Sequence, residues 1–544
     1  MKVFGSIDSF VETGETSLKL GRLVANFEFL KALLTYGSFD QYQIYCPTFD
    51  NLKLLKHRLE GVVDDRVLSR VILSHHLNFP DALRDTDFSA FHVGGWNWYL
   101  PRLAYLRVKY QASFPLTGII HSLDPSEVIL DVRELMRSPL AGCDSIVCTS
   151  ASGRQVFQNY VEAAHAQDTA LSLPARLDLI PLGVGDECFR PGDRAAARVQ
   201  LGLESSAVLL LYIGRISIST KADLAPLLYT FHRLCAEEGA VNRVYLILAG
   251  GADKENVQNL KLVIDELGLG ERVLLKPNIA DADKFDLYAA ADIFVSPIDN
   301  FQETFGISVV EAMASGLPTV VSDFDGYRDL VEEGVTGYRI PTTWLKAPED
   351  IADIRGILEP ALSSFYAAQS IALDQEALFE RLQSLIADGA LRKRMGDTGR
   401  ALAERRFHWR TIIHQYEQLW GTLKNLALET PITQAGTDLN LPDMARVFEH
   451  YPSQILTDTT VLALSELGHD VLQGKVLMPA TYEELAPLLP GALLTCLLSR
   501  LMGNHASLSD IIQTGQSAFG AAPPVTRLCV IWLMKYGLLK TMPG

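Results

Sequence analysis

Two glutamates, Glu303 and Glu311, flank a Phe-Gly turn in the segment NFQETFGISVVEAMASGLPTVVSD, residues 300–323. The run DIFVSPI before them is typical of a strand, FQETFG of the loop at its carboxyl end, and ISVVEAMAS of a helix that ends at Gly316. The first N–H groups of such a helix have no partner inside it and, with the helix dipole, favour an anion. Because Gly306 lets a ligand approach the backbone closely, the segment predicts a phosphate site.

The two carboxylates are placed to bind hydroxyl groups near that phosphate. Glu311 lies about one helical turn from the start of the helix, where it can accept hydrogen bonds from a diol such as ribose. Glu303 lies in the loop, nearer to the end of the ligand that would react. Acids that hold a metal ion converge on one point, so this spacing favours a nucleotide-sugar pocket over a metal site. The alternative is that both glutamates are solvated surface acids.

A pair of cations follows another predicted strand in the same part of the chain. In YIGRISISTKADL, Arg215 comes just after the strand and Lys221 is expected at the start of the next helix. Positive charge is unfavourable there unless an anion binds, which argues against an exposed basic pair. Two cations at this turn can neutralise a diphosphate leaving group, and its departure is the main electrostatic demand of glycosyl transfer.

The elements that would position these residues follow an alternating pattern. Up to about residue 181, the apolar runs QIYC, FHV, LTGIIH, SIVCT and LDLIP are separated by helical stretches such as LVANFEFLKALLTYG, which indicates a parallel sheet covered by helices. The segment LGVGDECFRPGD is rich in Gly, Pro and Asp and is typical of a linker. A second series runs from VLLLYIG to GYRIP. The sequence therefore predicts two doubly wound α/β domains that face a cleft.

The part of the chain after residue 341 reads as helical and breaks at ETPITQAGTDLN. Residues 431–544 are predicted to form a separate, mostly helical appendage without a catalytic motif. Its segment APPVTRLCVIWLMKYGLL has enough apolar residues to pack on the rest of the chain or on a second copy. A homo-oligomer formed through this appendage is therefore one expectation.

Composition excludes several classes of function. The chain has 544 residues and a formal net charge of −17, which disfavours binding to a nucleic-acid backbone. Its seven cysteines are scattered without the spacing of a metal site and are predicted to be reduced thiols. No run of about 18 apolar residues is present, and the N-terminus meets acidic residues too early for a signal peptide. A cytoplasmic location is predicted, with peripheral contact to the inner membrane face as an alternative through short basic segments.

The run GRISISTK and the later AAADIFVSPIDNFQETFGISVVEAMASGLPTVVSDFDG resemble the donor domain of retaining glycosyltransferases of family GT4, whose E-x7-E pattern matches Glu303 and Glu311. The resemblance extends to IPLGV, GIIHSLD, CDSIVCTSASGRQVF and FHW and covers roughly residues 1–425. It implies a GT-B fold with an acceptor domain over residues 1–181, completed by helices around 405–425. The donor domain would span residues 182–404.

The resemblance also implies roles for individual residues. Arg215 and Lys221 match the residues that hold the donor diphosphate, Glu303 the glutamate near the transferred sugar, and Glu311 the one on the nucleotide ribose. The turn whose amides contact sugar and phosphate is matched by Phe305, Gly306 and Ile307. The first-domain histidine beside the reacting centre is matched by His121.

One feature departs from the family pattern. A Gly-Gly-rich loop usually follows the first strand to meet the diphosphate, whereas FVETGETSLKLGRLVANFEFL offers only Gly14 and Gly21. Gly21 begins the helical pattern and is carried over as the donor-binding glycine.

Histidines at strand ends are often only structural, which is the alternative for His121 and the stronger reading for His92.

The resemblance implies transfer with retained configuration, without a metal or other cofactor, and with the departing phosphate taking the acceptor proton. We therefore expect an enzyme, a hexosyltransferase that uses a UDP- or GDP-sugar and a glycan, lipid-linked or small glycoside acceptor. The alternatives are a GT-B sugar phosphorylase, a nucleotide-sugar epimerase, or a non-catalytic protein in which the fold serves assembly.

Overall fold

The computed structural model describes residues 1–8, 10–11, 21–123, 128–190, 192–237, 243–345, 354–429 and 444–542. The chain divides into two compact units, Met1–Leu439 and Asn440–Gly544. The first unit contains two parallel sheets of seven and six strands. These are the two parallel, helix-covered sheets that the alternating sequence pattern predicts.

The first sheet has the strand order β3-β2-β1-β4-β5-β6-β7, and its neighbouring strands run parallel. Its central strands are almost entirely buried because helices cover both faces. The strands are β1 (Val3–Ser6), β2 (Gln41–Cys46), β3 (Val71–His75), β4 (Phe88–Val93), β5 (Leu116–Ile119), β6 (Ser145–Cys148) and β7 (Arg176–Leu179). The helices are α1 (Gly21–Tyr36), α2 (Phe49–Glu60), α3 (Asp65–Leu68), α4 (Phe79–Asp85), α5 (Tyr99–Lys109), α6 (Val128–Arg137) and α7 (Ala151–Gln167).

The second sheet has the order β10-β9-β8-β11-β12-β13 and is also parallel. Its strands are β8 (Val208–Ile213), β9 (Val244–Gly250), β10 (Val273–Pro277), β11 (Ile293–Ser296), β12 (Thr319–Ser322) and β13 (Gly337–Ile340). The helices around it are α8 (Arg194–Gln200), α9 (Ala225–Ala236), α10 (Lys254–Glu266), α11 (Asp281–Ala290) and α12 (Ile307–Ala314).

After the second sheet the described part of the chain forms a short antiparallel strand pair, with one α-helix between its two strands and three α-helices after it. The pair is β14 (Thr342–Trp344) with β15 (Ile371–Leu373), an addition to the helical region that the sequence predicts. The helices are α13 (Pro360–Ala368), α14 (Gln375–Ala387), α15 (Gly389–Phe407) and α16 (Trp409–Glu429).

Helix α16 returns the chain to the first sheet. The indole Nε1 of Trp420 donates to Thr117 Oγ1 at 3.0 Å, and the Trp420 ring lies 5.4 Å from that of Phe4. The chain crosses between the sheets twice at one place, since the Val184 N–H donates to Phe407 O at 2.8 Å and the Trp409 N–H donates to Val184 O at 3.1 Å. The exact domain boundaries stay predictions.

The second unit is mostly helical, as predicted, but it also contains a three-stranded antiparallel sheet with the order β17-β16-β18. The strands are β16 (Val461–Leu464), β17 (His505–Ser507) and β18 (Leu539–Thr541). The helices are α17 (Met444–Val447), α18 (Glu466–Leu472), α19 (Gly491–Arg500), α20 (Leu508–Phe519) and α21 (Pro523–Lys535). Its core is rich in leucine, including fully buried Leu462, Leu497 and Leu533.

Among the described residues, no single helix is both long and apolar enough to cross a membrane. Helices α20 and α21 pass that test only as a pair, by length and composition, and they are bent by 117° at the break between them.

Candidate functional site

The candidate site lies where the strand order of the second sheet reverses, between β8 and β11. Arg215 follows β8, and the loop with Glu303 follows β11. Because both strands point the same way, their carboxyl ends open on one crevice. Ligands of open α/β sheets bind at such a switch point. The topology thus brings together two segments that the sequence analysis treated separately.

Lys221 and Glu303 form an ion pair in this crevice, with side chains only 10% and 20% exposed. The second oxygen of Glu303, Oε1, accepts a hydrogen bond from the Phe305 N–H at 3.1 Å. Burial alone would raise the pKa of Glu303, but Lys221 outweighs burial and lowers it. Burial would likewise lower the pKa of Lys221, yet Glu303 raises it. Both groups are therefore charged at neutral pH.

The sequence predicts Lys221 at the start of a helix, but the structure does not place it there. Its N–H donates to Ser217 O at 3.0 Å and closes a single turn, while α9 begins at Ala225 with Pro226 in its first turn. The expectation was wrong because proline sets the helix start later in the chain. The charge of Lys221 is therefore not opposed by a helix dipole, and the buried carboxylate of Glu303 balances it.

Arg215 lies at the edge of the same turn and is half-buried. Its Nη2 donates to Thr220 O at 3.2 Å, and its own carbonyl accepts from the Tyr212 hydroxyl at 2.9 Å. Arg215 also helps to lower the pKa of Glu303, although less than Lys221 and the Phe305 N–H do. The two predicted cations thus act on one carboxylate.

The Phe-Gly turn is shaped by Gly306, which has φ +103° and immediately precedes Ile307, the first residue of α12. A Cβ atom at Gly306 would lie 2.2 Å from the Tyr327 ring. Tyr327 is fully buried, and its hydroxyl lies 3.1 Å from Ser296 Oγ. Phe305 uses its N–H on Glu303, so the Phe305 amide supports the carboxylate in this structure. The ligand contacts of Phe305, Gly306 and Ile307 stay predictions.

Glu311 is buried on α12 and faces α11. Lys284 Nζ donates to Glu311 Oε1 at 2.6 Å, and the Tyr288 hydroxyl donates to Oε2 at 3.0 Å. Each carboxylate oxygen has two lone pairs, so Glu311 keeps acceptor capacity for a ligand diol. Lys284 and Tyr288 were not predicted from the sequence, although their spacing of four in DADKFDLYAA places them on one helical face.

His121 follows β5 in the first sheet, and its Nε2 lies 2.7 Å from Asn26 Oδ1. Asn26 is buried on α1 and uses its Nδ2 to donate to Gly94 O at 3.0 Å. Because the amide nitrogen is occupied by Gly94, the amide oxygen faces His121, and the hydrogen-bond network assigns the His121 proton to Nε2. Asn26 is a further residue that sequence reasoning missed.

Hydrogen bonds across the cleft bring His121 and Glu303 to one place. Thr304, directly after Glu303, donates from Oγ1 to His121 O at 2.9 Å. Its carbonyl accepts from Thr149 Oγ1 at 3.3 Å. Nearby, the Ser152 N–H donates to Asp329 Oδ2 at 3.1 Å. The predicted residue of the first domain therefore lies against the loop of the second.

His92 is buried in the first sheet, with Nδ1 at 2.9 Å from Thr117 Oγ1 and its ring 5.9 Å from Trp420. This environment matches the structural reading of His92. Burial first, and His121 second, lower its pKa to about 3.

Acidification is therefore expected to destabilise the protein through His92. In the unfolded chain His92 is protonated as the pH falls below its ordinary pKa of 6.5, whereas in the folded chain it stays neutral until the pH approaches the lowered pKa of about 3. Stability should fall as pH drops through this window, by up to about 1.4 kcal/mol per pH unit for this group. Urea unfolding at pH 7 and pH 5 checks this, with His92→Asn expected to lose less stability than wild type. Equal losses would contradict it.

The remaining predicted donor-binding residue, Gly21, is the first residue of α1, and its role stays a prediction. Gly14 lies outside the described residues.

In the part of the chain that the structure describes, no three or more His, Cys, Asp or Glu side chains are grouped to hold a metal ion. Independence from metals stays a prediction.

Part of the chain is similar to known proteins. The family model described as Glycosyl transferases group 1 matches residues 193–358, a range that includes Arg215, Lys221, Glu303 and Glu311. D-inositol 3-phosphate glycosyltransferase of Mycobacterium sp. (strain KMS) is 31% identical over 227 residues, 41% of this chain and 49% of the relative. D-inositol 3-phosphate glycosyltransferase 1 of Catenulispora acidiphila is 30% identical over 281 residues, 51% of this chain and 65% of the relative.

The chain spans about half to two thirds of the length of these curated relatives. The family match confirms the prediction of a transferase enzyme domain in this chain.

Two solved structures are similar in fold. Anabaena HepE in complex with UDP superposes with a TM-score of 0.54 at 20% identity, covering 78% of this chain and 100% of that chain. Sucrose-phosphate synthase from Thermosynechococcus elongatus gives 0.52 at 20% identity, with the same coverage. With the two parallel sheets and the helical C-terminal region, these similarities establish the predicted GT-B fold.

Proposed function

We propose that this protein is a retaining, metal-independent glycosyltransferase of the GT4 type, which moves a hexose from a UDP- or GDP-sugar to an acceptor hydroxyl. The observation that carries the proposal is the buried ion pair of Lys221 and Glu303 beside the Gly306 turn, at the sheet's switch point. Such a site offers cations to a diphosphate and carboxylates to sugar hydroxyls. The family match over residues 193–358 and the names of the relatives support it.

The proposed reaction breaks the bond between the anomeric carbon and the donor phosphate oxygen. The acceptor hydroxyl oxygen forms the new bond from the same face, and its proton passes to the departing phosphate. Lys221 and Arg215 would offset the negative charge that develops on that phosphate. Glu303 is a poor general base because Lys221 lowers its pKa. The phosphate oxygen is then the better proton acceptor.

His121 would lie beside the reacting centre, held in one tautomer by Asn26. Gly21, at the start of α1, would meet the diphosphate from the first domain. The acceptor would be a glycan, a lipid-linked sugar or a small glycoside, bound by the first domain. No cofactor takes part in this scheme.

A Glu311→Ala variant is expected to bind UDP or GDP roughly ten- to a hundred-fold more weakly, because the ribose loses a charged hydrogen-bond acceptor. Isothermal titration with both nucleotides measures this. Glu376→Ala, which removes an exposed glutamate paired with Arg233, is the matched control and should bind like wild type. Since Glu311→Ala removes the carboxylate that Lys284 pairs with, Glu311→Gln is measured alongside as the variant of similar shape. Unchanged affinity in both Glu311 variants would contradict the proposal.

Product analysis separates the alternatives. A sugar phosphorylase would require inorganic phosphate, and an epimerase would return a sugar of altered configuration, either on the nucleotide or free. A non-catalytic assembly protein would release no nucleotide from any donor. Release of UDP or GDP together with slow donor hydrolysis, without added phosphate or metal, is the result expected for the glycosyltransferase.

A further inference from the structure

Asp325 lies beside the proposed donor site, on the loop that follows β12. It begins a 3-10 helix, Asp325–Asp329, and adopts φ +40°, a left-handed conformation that few residues other than glycine take. The next residue, Gly326, packs so closely that a Cβ atom there would lie 2.3 Å from Thr304 O and 2.6 Å from Phe305 N. The loop with Asp325 therefore rests directly on the turn that carries Glu303.

The two carboxyl oxygens of Asp325 have different environments. Oδ1 accepts from the Tyr327 N–H at 3.1 Å. Oδ2 is buried and has no hydrogen-bond partner among the described residues. A buried polar oxygen without a partner is costly and calls for an explanation, which a ligand hydroxyl would supply.

The charged groups that act on Asp325 belong to the donor site. Burial raises the pKa of Asp325 well above its ordinary value, Glu303 raises it further, and Lys221 opposes both. Lys221 already pairs with Glu303, so the two carboxyl groups share one lysine. A ligand that bonds both of them should bring hydroxyl groups rather than a further negative charge.

We propose that Asp325 is a specificity-determining residue that hydrogen-bonds a hydroxyl of the transferred sugar through Oδ2, and that the sugar is a neutral hexose rather than a uronate. This inference rests on the proposed function and names the sugar class for the same site. A hydroxyl can donate to a carboxylate and accept from a carboxylic acid, so the contact forms in either protonation state. Glu303 opposes a carboxylate on the sugar for the same reason that it opposes ionisation of Asp325.

The test measures how much the sugar adds to binding beyond the nucleotide. Thermal shifts are recorded with UDP, UDP-glucose and UDP-glucuronate, and in parallel with GDP, GDP-mannose and GDP-mannuronate. In wild type the neutral sugar nucleotide should stabilise more than the free nucleotide, and the uronate should stabilise less than the neutral sugar. Titration calorimetry converts these shifts into affinities.

Asp325→Gly removes the carboxyl group and also relieves the left-handed backbone, so the variant should fold at least as well as wild type. It should bind the free nucleotide unchanged and lose roughly ten-fold or more of the affinity for the neutral sugar nucleotide. Asp325→Asn keeps a group that can bond a hydroxyl and should recover part of that loss. Asp323→Asn is the matched control, because Asp323 is in the same loop but pairs with Arg328 at 3.2 Å.

The outcomes are distinguishable. An equal gain from the sugar in Asp325→Gly and wild type, or tighter binding of the uronate in wild type, would overturn the role of Asp325 or the sugar class. A wild type that neither UDP nor GDP stabilises would overturn the proposed function itself, and with it this inference.

Discussion

Replacing Lys221 by alanine is expected to abolish sugar transfer, with a loss of at least about 10³-fold in kcat. Lys221 is the buried cation of the site and pairs with Glu303. Among the described residues, no other lysine forms an ion pair with that carboxylate. The departing diphosphate would lose its main counter-charge in a crevice of low dielectric. Donor hydrolysis and transfer assays at saturating donor measure the effect on kcat separately from binding.

The Lys221→Ala variant also leaves Glu303 buried without its partner, so it could lose activity by unfolding instead. The double variant Lys221→Ala with Glu303→Gln removes both charges and should regain stability while remaining inactive. Lys393→Ala is the matched control, because Lys393 forms an exposed pair with Asp397 at 2.8 Å. Wild-type turnover in Lys221→Ala would exclude a role for this lysine in leaving-group departure.

Gly306→Ala is expected to inactivate the protein although it removes no functional group. An alanine at φ +103° is strained, and its Cβ would lie 2.2 Å from the buried Tyr327 ring. Together, the left-handed conformation and the overpacking should lower the free energy of unfolding by about 2–4 kcal/mol. The turn must shift to relieve the contact, which moves Glu303 and the start of α12, so kcat/KM should fall at least about 100-fold.

Gly316→Ala separates strain from displacement. Gly316 also has a positive φ, +82°, at the other end of the same helix, but no atom of the described residues would lie within 4 Å of a Cβ there. This variant should lose only about 1–2 kcal/mol of stability and keep its activity. Urea unfolding and steady-state kinetics of both variants check the expectation. Equal activity in Gly306→Ala and Gly316→Ala would show that the position of the turn is not critical.

Local patterns in the sequence predicted much of the fold and part of the site. Buried strands such as VLLLYI are continuous apolar runs, and helices follow them with the expected period. Gly306 between Phe305 and Ile307 indicated a turn followed by a helix, and the structure has both. The strands of the second unit were missed because β17 and β18 have only three residues each, too few for an alternating pattern to show.

The sequence by itself determined the types of the chemical groups and their local frames: Glu303 in a loop, Glu311 on a helix, and Arg215 after a strand. Only the tertiary structure decided which groups meet. Lys221 reaches Glu303 across 82 positions of sequence, His121 meets Asn26 across 95, and the loop with Asp325 lies against the turn of Glu303 through Gly326. The physical reason is that hydrophobic periodicity fixes each strand and helix, whereas the order of strands in a sheet depends on long-range packing that local spacing does not encode.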